Sequence, residues 1–350
     1  MRIAQIAPLT ESVPPRLYGG TERVVSFLTE QLVAMGHDVT LFASGDSSTT
    51  AELAAAWPCA LRFDRTVRDA MAPHMLMIEQ VRRRADEFDV LHCHLDYWPF
   101  SVLSRQSTAF LTTLHGRLDL PELRQIYDSF ADVPLVSISD AQRAPLPGAN
   151  FVATVHHGLP IDLLAPVDTT PDYLAFLGRI CPEKRPDRAI RIARKAGIKL
   201  KIAAKVDRAD EDYFRDVIRP MIDGRDVELI GEIGDADKSA FLSGAVALLV
   251  PIDWPEPFGL VMIEAMACGT PVIAFDRGSV PEIVEDGVSG FIVQDEAQAV
   301  AAIDRVPALS RAAVRRNFEQ RFSAERMAED YLALYRRLGA RARPTLRVVR

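Results

Sequence analysis

Residues 251–275, PIDWPEPFGLVMIEAMACGTPVIAF, decide how the rest of the chain is read. A proline-rich loop (Pro251, Pro255, Pro257) leads into Phe258-Gly259-Leu260, then an apolar helical run to Cys268. A Gly-Thr-Pro break follows, and the strand Val272 to Phe275 closes the stretch. Glu256 stands in the loop and Glu264 about two turns inside the helix. A carboxylate in so apolar a helix needs a partner, since burying it alone costs several kcal/mol or forces it neutral. Eight residues at helical rise would set the two glutamates roughly 12 Å apart along the backbone. Carboxylate pairs that cleave glycosidic bonds sit about 5–9.5 Å apart, so that chemistry is disfavoured. Two hydroxyl-binding carboxylates gripping an extended ligand fit better. The first-turn N–H groups of residues 258 to 260 lie between them, with the positive end of the helix dipole, and suit a phosphate. Sugar, diphosphate and ribose would all be served. The alternative is a buried helix whose Glu264 pairs with an arginine, with Glu256 solvated.

Outward from this stretch, short apolar runs alternate with amphipathic segments. Strands are predicted at 3–7, 39–43, 90–93, 110–114 and 135–138, with helices at 21–35, 69–86, 97–106 and 121–130 between them. A loop-rich passage, 145–166, breaks the rhythm. It restarts with strands at 173–177, 200–204, 227–230 and 247–251 and helices at 186–196, 210–222 and 236–243. Two helical segments close the chain, 296–305 and 308–338, the second broken near Arg321-Phe322-Ser323 with Ser323 as N-cap. Strand, helix, strand at this spacing marks doubly wound parallel sheets. Two such halves, 1–160 and 161–322, put their ligand sites outside the carboxyl ends of the strands and suggest a cleft between them.

The 350 residues suffice for two domains with their own cores, and 48% hydrophobic with 25% charged residues is a globular composition. A net charge of −7 argues against nucleic-acid binding. Cys59, Cys93, Cys181 and Cys268 have no paired spacing and read as reduced thiols of a cytoplasmic protein. No signal peptide is evident, and no apolar run approaches ~18 residues. From Arg336 onward the chain carries six arginines and no acid. Residues 339–350 read as a solvated, disordered tail, or one touching anionic lipid at the inner membrane face.

Three further segments carry candidate chemistry. Tyr18-Gly19-Gly20-Thr21-Glu22 follows the first strand and opens a helix, where paired glycines let backbone approach an anion. The G-x-G-x-x-G dinucleotide fingerprint is absent. Arg179 and Lys184, in GRICPEK, lie in a loop after a strand, where cations can neutralise a departing diphosphate. His115 ends the strand FLTTLHG. His92 and His94, at i and i+2, would face one side of a strand with no further metal ligands in view. The pairs Asp210/Asp212 and Asp235/Asp237 open helices, where dipole and capping account for them.

E-P-F-G-L-x-x-x-E-A-M-A-x-G-x-P-V-I-A closely resembles the E-x7-E donor motif of family 4 retaining glycosyltransferases. G-R-x-x-P-E-K resembles that family's phosphate-gripping loop, and Gly19-Gly20, His115-Gly116, Ser139 and Gly158 match its loops less specifically. The resemblance spans nearly the whole chain to about residue 338. It implies the GT-B fold, two Rossmann-like domains, with an acceptor-binding first domain completed by a crossing helix at 323–338 and a nucleotide-sugar domain at 161–322. It further implies that Glu256 binds sugar hydroxyls, Glu264 the ribose, and Phe258, Gly259 and Leu260 the sugar or phosphate. Arg179, Lys184, Gly19 and Gly20 would hold the diphosphate. His115 and Ser139 would stand beside the sugar. The implied reaction is metal-independent transfer of a hexose from a nucleoside diphosphate sugar, UDP-glucose being the commonest, to a saccharide, lipid-linked or small-molecule hydroxyl. A sugar-nucleotide 2-epimerase and a non-catalytic nucleotide-sugar binder are the rivals.

Overall fold

The computed structural model describes residues 1–16 and 19–342. The chain divides into two compact units, Met1–Gly158 with the chain from Ala324 onward, and Leu159–Ser323. In the first, seven parallel strands are ordered β3-β2-β1-β4-β5-β6-β7: β1 Arg2–Ile6, β2 Asp38–Ser44, β3 Glu52–Trp57, β4 Val90–Cys93, β5 Ala109–Thr113, β6 Leu135–Ser137 and β7 Phe151–Thr154. In the second, six are ordered β10-β9-β8-β11-β12-β13: β8 Tyr173–Arg179, β9 Lys199–Lys205, β10 Val227–Gly231, β11 Ala245–Val250, β12 Val272–Phe275 and β13 Gly290–Val293.

Parallel strands joined by helical crossovers are covered on both faces, so they must be apolar throughout. Ile3, Ala4 and Ile6 of β1 and Val272, Ile273 and Ala274 of β12 accordingly have at most 1% of their surface exposed. One core gathers Ile6, Phe42, Leu91, Phe100 and Tyr127 in the first unit; another gathers Leu174, Ile190, Ile202, Leu249 and Phe291 in the second.

Three strands escaped the sequence reading. β3 (ELAAAW) and β7 (FVAT) are edge strands with partly exposed residues, and β13 (GFIV) is four residues long. The helix expected at 97–106 shrinks to Phe100–Leu103. The one expected at 210–222 breaks into short turns, including a π-turn at Phe214–Ile218, before Pro220. The final helix, Ala324–Ala342, outruns its predicted end, so residues 339–342 are helical rather than the start of a tail. Arginine and alanine are good helix formers, and the helix carries on through Gly339, the one poor former in that segment. The remainder of that basic segment, 343–350, lies outside the described residues, as do Leu17 and Tyr18. Among the described residues no helix is long and apolar enough to cross a membrane.

Candidate active site

Each sheet has a point where the strand order reverses, and ligands of open α/β sheets bind at that carboxyl edge. In the second unit it falls between β8 and β11. Arg179 is the last residue of β8, and the loop after β11 carries Asp253, Trp254 and Glu256. Asp253 N–H donates to the Glu183 carbonyl at 2.9 Å, tying the two loops together. Arg179 and Lys184, five residues apart, thus share an edge with Glu256, 72 residues beyond Lys184.

The Lys184 ammonium donates to Glu256 Oε2, and its Nζ lies 5.2 Å from the centre of the Trp254 ring. Trp254 Nε1 donates to the same Glu256 oxygen at 3.0 Å. Glu256 is 8% exposed, so the solvated alternative fails; its charge is met by an ammonium and an indole N–H. The backbone beneath it is clamped. Ser279 N–H donates to the Glu256 carbonyl at 2.9 Å, and Ser279 Oγ to the Phe258 carbonyl at 2.8 Å. Gly278, at φ +56°, comes so close that an added Cβ would lie 2.4 Å from the Glu256 nitrogen and oxygen.

The following helix starts at Leu260, four residues after Glu256. Glu264 is therefore little more than one turn into it, and the separation drawn from eight helical residues does not apply. The N-cap is Gly259, left-handed at φ 83°, ψ 70°, a conformation costly for other residues. No side chain caps this end. Glycine here has the further effect of making room for Met262, whose Cε would lie 2.7 Å from a Cβ. The opposite end is closed by Arg315, which donates to the Ala267 carbonyl at 2.5 Å. Glu264 does have a partner, Lys238 rather than an arginine, at 2.6 Å. Arg179 lies 3.7 Å from Asp207 and 3.5 Å from Asp210, whose carboxyl is raised by burial. Asp210 therefore faces a site cation besides opening a helical turn. Asp235 and Asp237 stand in the first turn of helix Asp235–Ser243, which Gly234 caps without a side-chain bond.

In the first unit the reversal lies between β1 and β4. Gly20 opens helix Gly20–Ala34 and Gly19 is its N-cap. His92 of β4 and His94, just beyond its end, do lie on one side, with rings 4.1 Å apart, and both are buried. Their partners are protein groups. His92 bonds Tyr335 Oη and Thr113 Oγ1, each at 2.7 Å; His94 bonds Gln5 Oε1 at 2.9 Å and His115 Nε2 at 2.8 Å. His115 also stacks on His157 at 5.2 Å between ring centres. Burial pushes all four imidazoles down, His115 to about 3, so each is neutral at pH 7. Among the described residues no group of three or more histidines, cysteines, aspartates or glutamates is arranged to hold a metal ion.

Ser139 is buried and caps the short helix Asp140–Arg143, accepting from Gln142 N–H. Gln142 Nε2 in turn donates to the carbonyls of Leu114 and Gly116, each at 2.8 Å, bracketing His115. The Ser139 loop therefore fixes the His115 loop. Asp96, two residues beyond His94, has a left-handed backbone at φ 49°, and burial raises its carboxyl to about 6. Such strain collects at working sites.

The fold agrees with comparison to known proteins. A model of the glycosyl transferases group 1 matches residues 165–322, and one of glycosyltransferase family 4 matches residues 18–136. The chain belongs to the family 4 glycosyltransferases. It is 32% identical over 255 residues to a D-inositol 3-phosphate glycosyltransferase of Saccharomonospora viridis, covering 65% of this chain and 56% of that one. The corresponding protein of Mycolicibacterium smegmatis is 32% identical over 233 residues, covering 58% and 50%. The chain spans about half the length of the curated relatives it matches. Among solved structures, a glycosyltransferase involved in avilamycin A biosynthesis superposes with a TM-score of 0.76 at 24% identity, covering 97% of this chain and 98% of that one. An Anabaena protein in complex with UDP superposes at 0.72 and 18% identity, covering 96% and 100%. These establish the GT-B fold of this family 4 glycosyltransferase.

Sequence reasoning named Arg179, Lys184, Glu256, Glu264 and His115 but missed Lys238, Gln5, Gln142, Gly278 and Asp96. Only the last two left a local trace: Gly278-Ser279 is a turn signal, and Asp96 continues the alternation of polar residues His92, His94, Asp96.

Proposed function

We propose that this family 4 glycosyltransferase moves a hexose from a nucleoside diphosphate sugar, UDP-glucose being the first candidate, to a hydroxyl acceptor with an α linkage and without a metal ion. The observation that carries the reading is the Lys184–Glu256 pair beside an uncapped helix start, with Glu264 one turn further on. A diphosphate drawn to Lys184, Arg179 and the amides of Phe258, Gly259 and Leu260 frees Glu256 to accept from sugar hydroxyls. Glu264 is then placed for a ribose diol. On the first unit, Gly19 and Gly20 form a helix start of the kind that attracts an anion. His115 and Ser139 serve the sugar on the first unit. The UDP in the Anabaena structure supports the choice of base.

Retention follows if the departing diphosphate takes the acceptor's proton. The new carbon–oxygen bond then forms on the face the old one leaves, and the cations hold the charge that builds on the leaving oxygen. Those two cations and the helix dipole supply the positive charge a divalent ion would bring, so activity should survive a chelator.

The test is product analysis by proton NMR with UDP-glucose, first alone and then with acceptors, D-inositol 3-phosphate being the first to try. The reading requires UDP and an α-linked product that form together and depend on acceptor. An altered nucleotide sugar without acceptor would make the protein an epimerase; binding without turnover would make it a carrier.

A further inference from the structure

The buried hydrogen-bond chain around His92 and His94 contains one member whose two ends differ chemically, the Gln5 amide. Its Nε2 donates to Tyr335 Oη at 3.1 Å, and its Oε1 faces His94 Nε2 at 2.9 Å. A carbonyl oxygen can only accept, so His94 Nε2 carries the proton. A neutral imidazole has one N–H and one lone pair. His94 Nδ1 is therefore the acceptor of the 2.8 Å bond to His115, and His115 Nε2 is the donor. What remains on His115 is Nδ1 with its lone pair. That atom is buried and has no hydrogen-bond partner.

The other arm is consistent. Tyr335 Oη accepts from Gln5 and donates to His92 Nδ1. His92 Nε2–H then donates to Thr113 Oγ1 at 2.7 Å, and Thr113 donates to Tyr331 Oη at 2.9 Å. Every buried bond has one donor and one acceptor, and donation runs in one direction along the whole chain, from His115 through His94 and Gln5 to Tyr331. Turning the amide over would reverse every bond and make His115 Nδ1 a donor. No other member of the chain can decide, because hydroxyls and imidazoles serve equally well in either sense.

We propose that Gln5, acting through His94, fixes the tautomer of His115 that presents a bare Nδ1, making it an acceptor for a substrate hydroxyl. Gln5 and His94 are then positioning residues for the transfer. The hydroxyl as the ligand class rests on the glycosyltransferase reading above; the tautomer does not. A bare imidazole nitrogen accepts from O–H and repels a carbonyl or phosphate oxygen. It thus orients a sugar or acceptor hydroxyl by its proton and leaves anions to the second unit. An uncommitted imidazole would lose that discrimination, since it could meet an oxygen of either kind.

The test uses full-length protein labelled with 15N at histidine. In the wild type without ligand, His115 Nδ1 should resonate as an unprotonated nitrogen and Nε2 as a protonated one. A protonated Nδ1 would overturn the proposal whatever the activity. In Gln5→Met, where neither end of the side chain directs His94, the two His115 tautomers should mix. Turnover should fall by roughly 10–100-fold, the scale for groups that orient a working imidazole, with the KM for the nucleotide sugar changed much less. His94→Asn, which removes the relay itself, should give the same kinetic pattern. Turnover within twofold of wild type in both variants, with His115 tautomers mixed, would end the positioning role. If the wild-type spectrum is as stated but no sugar is transferred to any acceptor, the tautomer stands and the glycosyltransferase reading is what fails.

Discussion

Lys238 Nζ lies 2.6 Å from Glu264 Oε1 and 3.3 Å from Asp235, and both members of the Lys238–Glu264 pair are buried. The pair holds an ionised carboxylate inside an apolar helix, where it would otherwise be too costly to keep. Lys238→Met should therefore lower unfolding free energy by about 3–5 kcal/mol, because it strands the buried carboxylate. Lys238→Met with Glu264→Leu should recover most of that stability while losing nucleotide affinity. Urea titration and calorimetry with UDP check the two halves separately. A single variant within ~1 kcal/mol of wild type would mean that Glu264 is neutralised some other way.

Gly278 is as close a constraint on Glu256 as any side chain. A methyl group there must displace Glu256 backbone it would meet at 2.4 Å, and φ +56° is strained for alanine. Gly278→Ala should cost about 1–3 kcal/mol and, unlike an ordinary packing defect, reduce turnover of the fraction that remains folded. Gly287→Ala is the control. It has φ +76° with nothing within 4 Å of the new carbon, so it carries the strain without the displacement. Equal kinetics in the two variants would sever Gly278 from the site.

Acid should unfold the first unit. His92, His94, His115 and His157 have folded pKa values below the unfolded 6.5, His115 at about 3. As pH falls, the unfolded chain binds protons that the folded one refuses. Their contribution is complete above pH 7 and is lost as pH falls through 6 towards 3. Asp96 works the other way, since its folded carboxyl, at about 6, binds a proton before the unfolded one at 3.8. The histidines prevail by number. Each unmatched proton is worth about 1.4 kcal/mol per pH unit, so the urea midpoint should drop steeply between pH 6.5 and 5. A flat midpoint over that interval would contradict the neutral buried cluster.

Which parts of this were legible in sequence follows from range. The sheets were, because buried parallel strands must be apolar along their whole length and the helices between them show their period. β3 and β7 were not, because an edge strand need bury only part of itself. Arg179, Lys184, Glu256 and Glu264 were legible because each sits in a local pattern of loop, glycine and helix start. Their partners were not. Lys238 is 26 residues from Glu264, and Tyr335 is 243 from His92. Only the fold brings such residues together. The same holds for Gln5, which reads as an ordinary polar residue of a first strand until its two neighbours are known.

Lys184→Ala should lower turnover by roughly 10²–10³, on the scale of losing one preorganised donor at a developing charge, and should also cost stability, because it removes the ammonium that meets the buried Glu256 carboxylate. Lys184→Arg should recover only part, because a planar guanidinium does not reproduce a compact ammonium. Single-turnover kinetics would show this; full activity in the alanine variant would take Lys184 out of the reaction.

The most direct measurement is a crystal structure of the protein with UDP-glucose. The diphosphate should lie against Arg179, Lys184 and the start of helix Leu260–Ala267, with the ribose hydroxyls on Glu264 and the hexose hydroxyls on Glu256. A nucleotide lodged away from the carboxyl edge of β8 and β11, or a Glu264 bonded to Lys238 and far from any ribose, would contradict it.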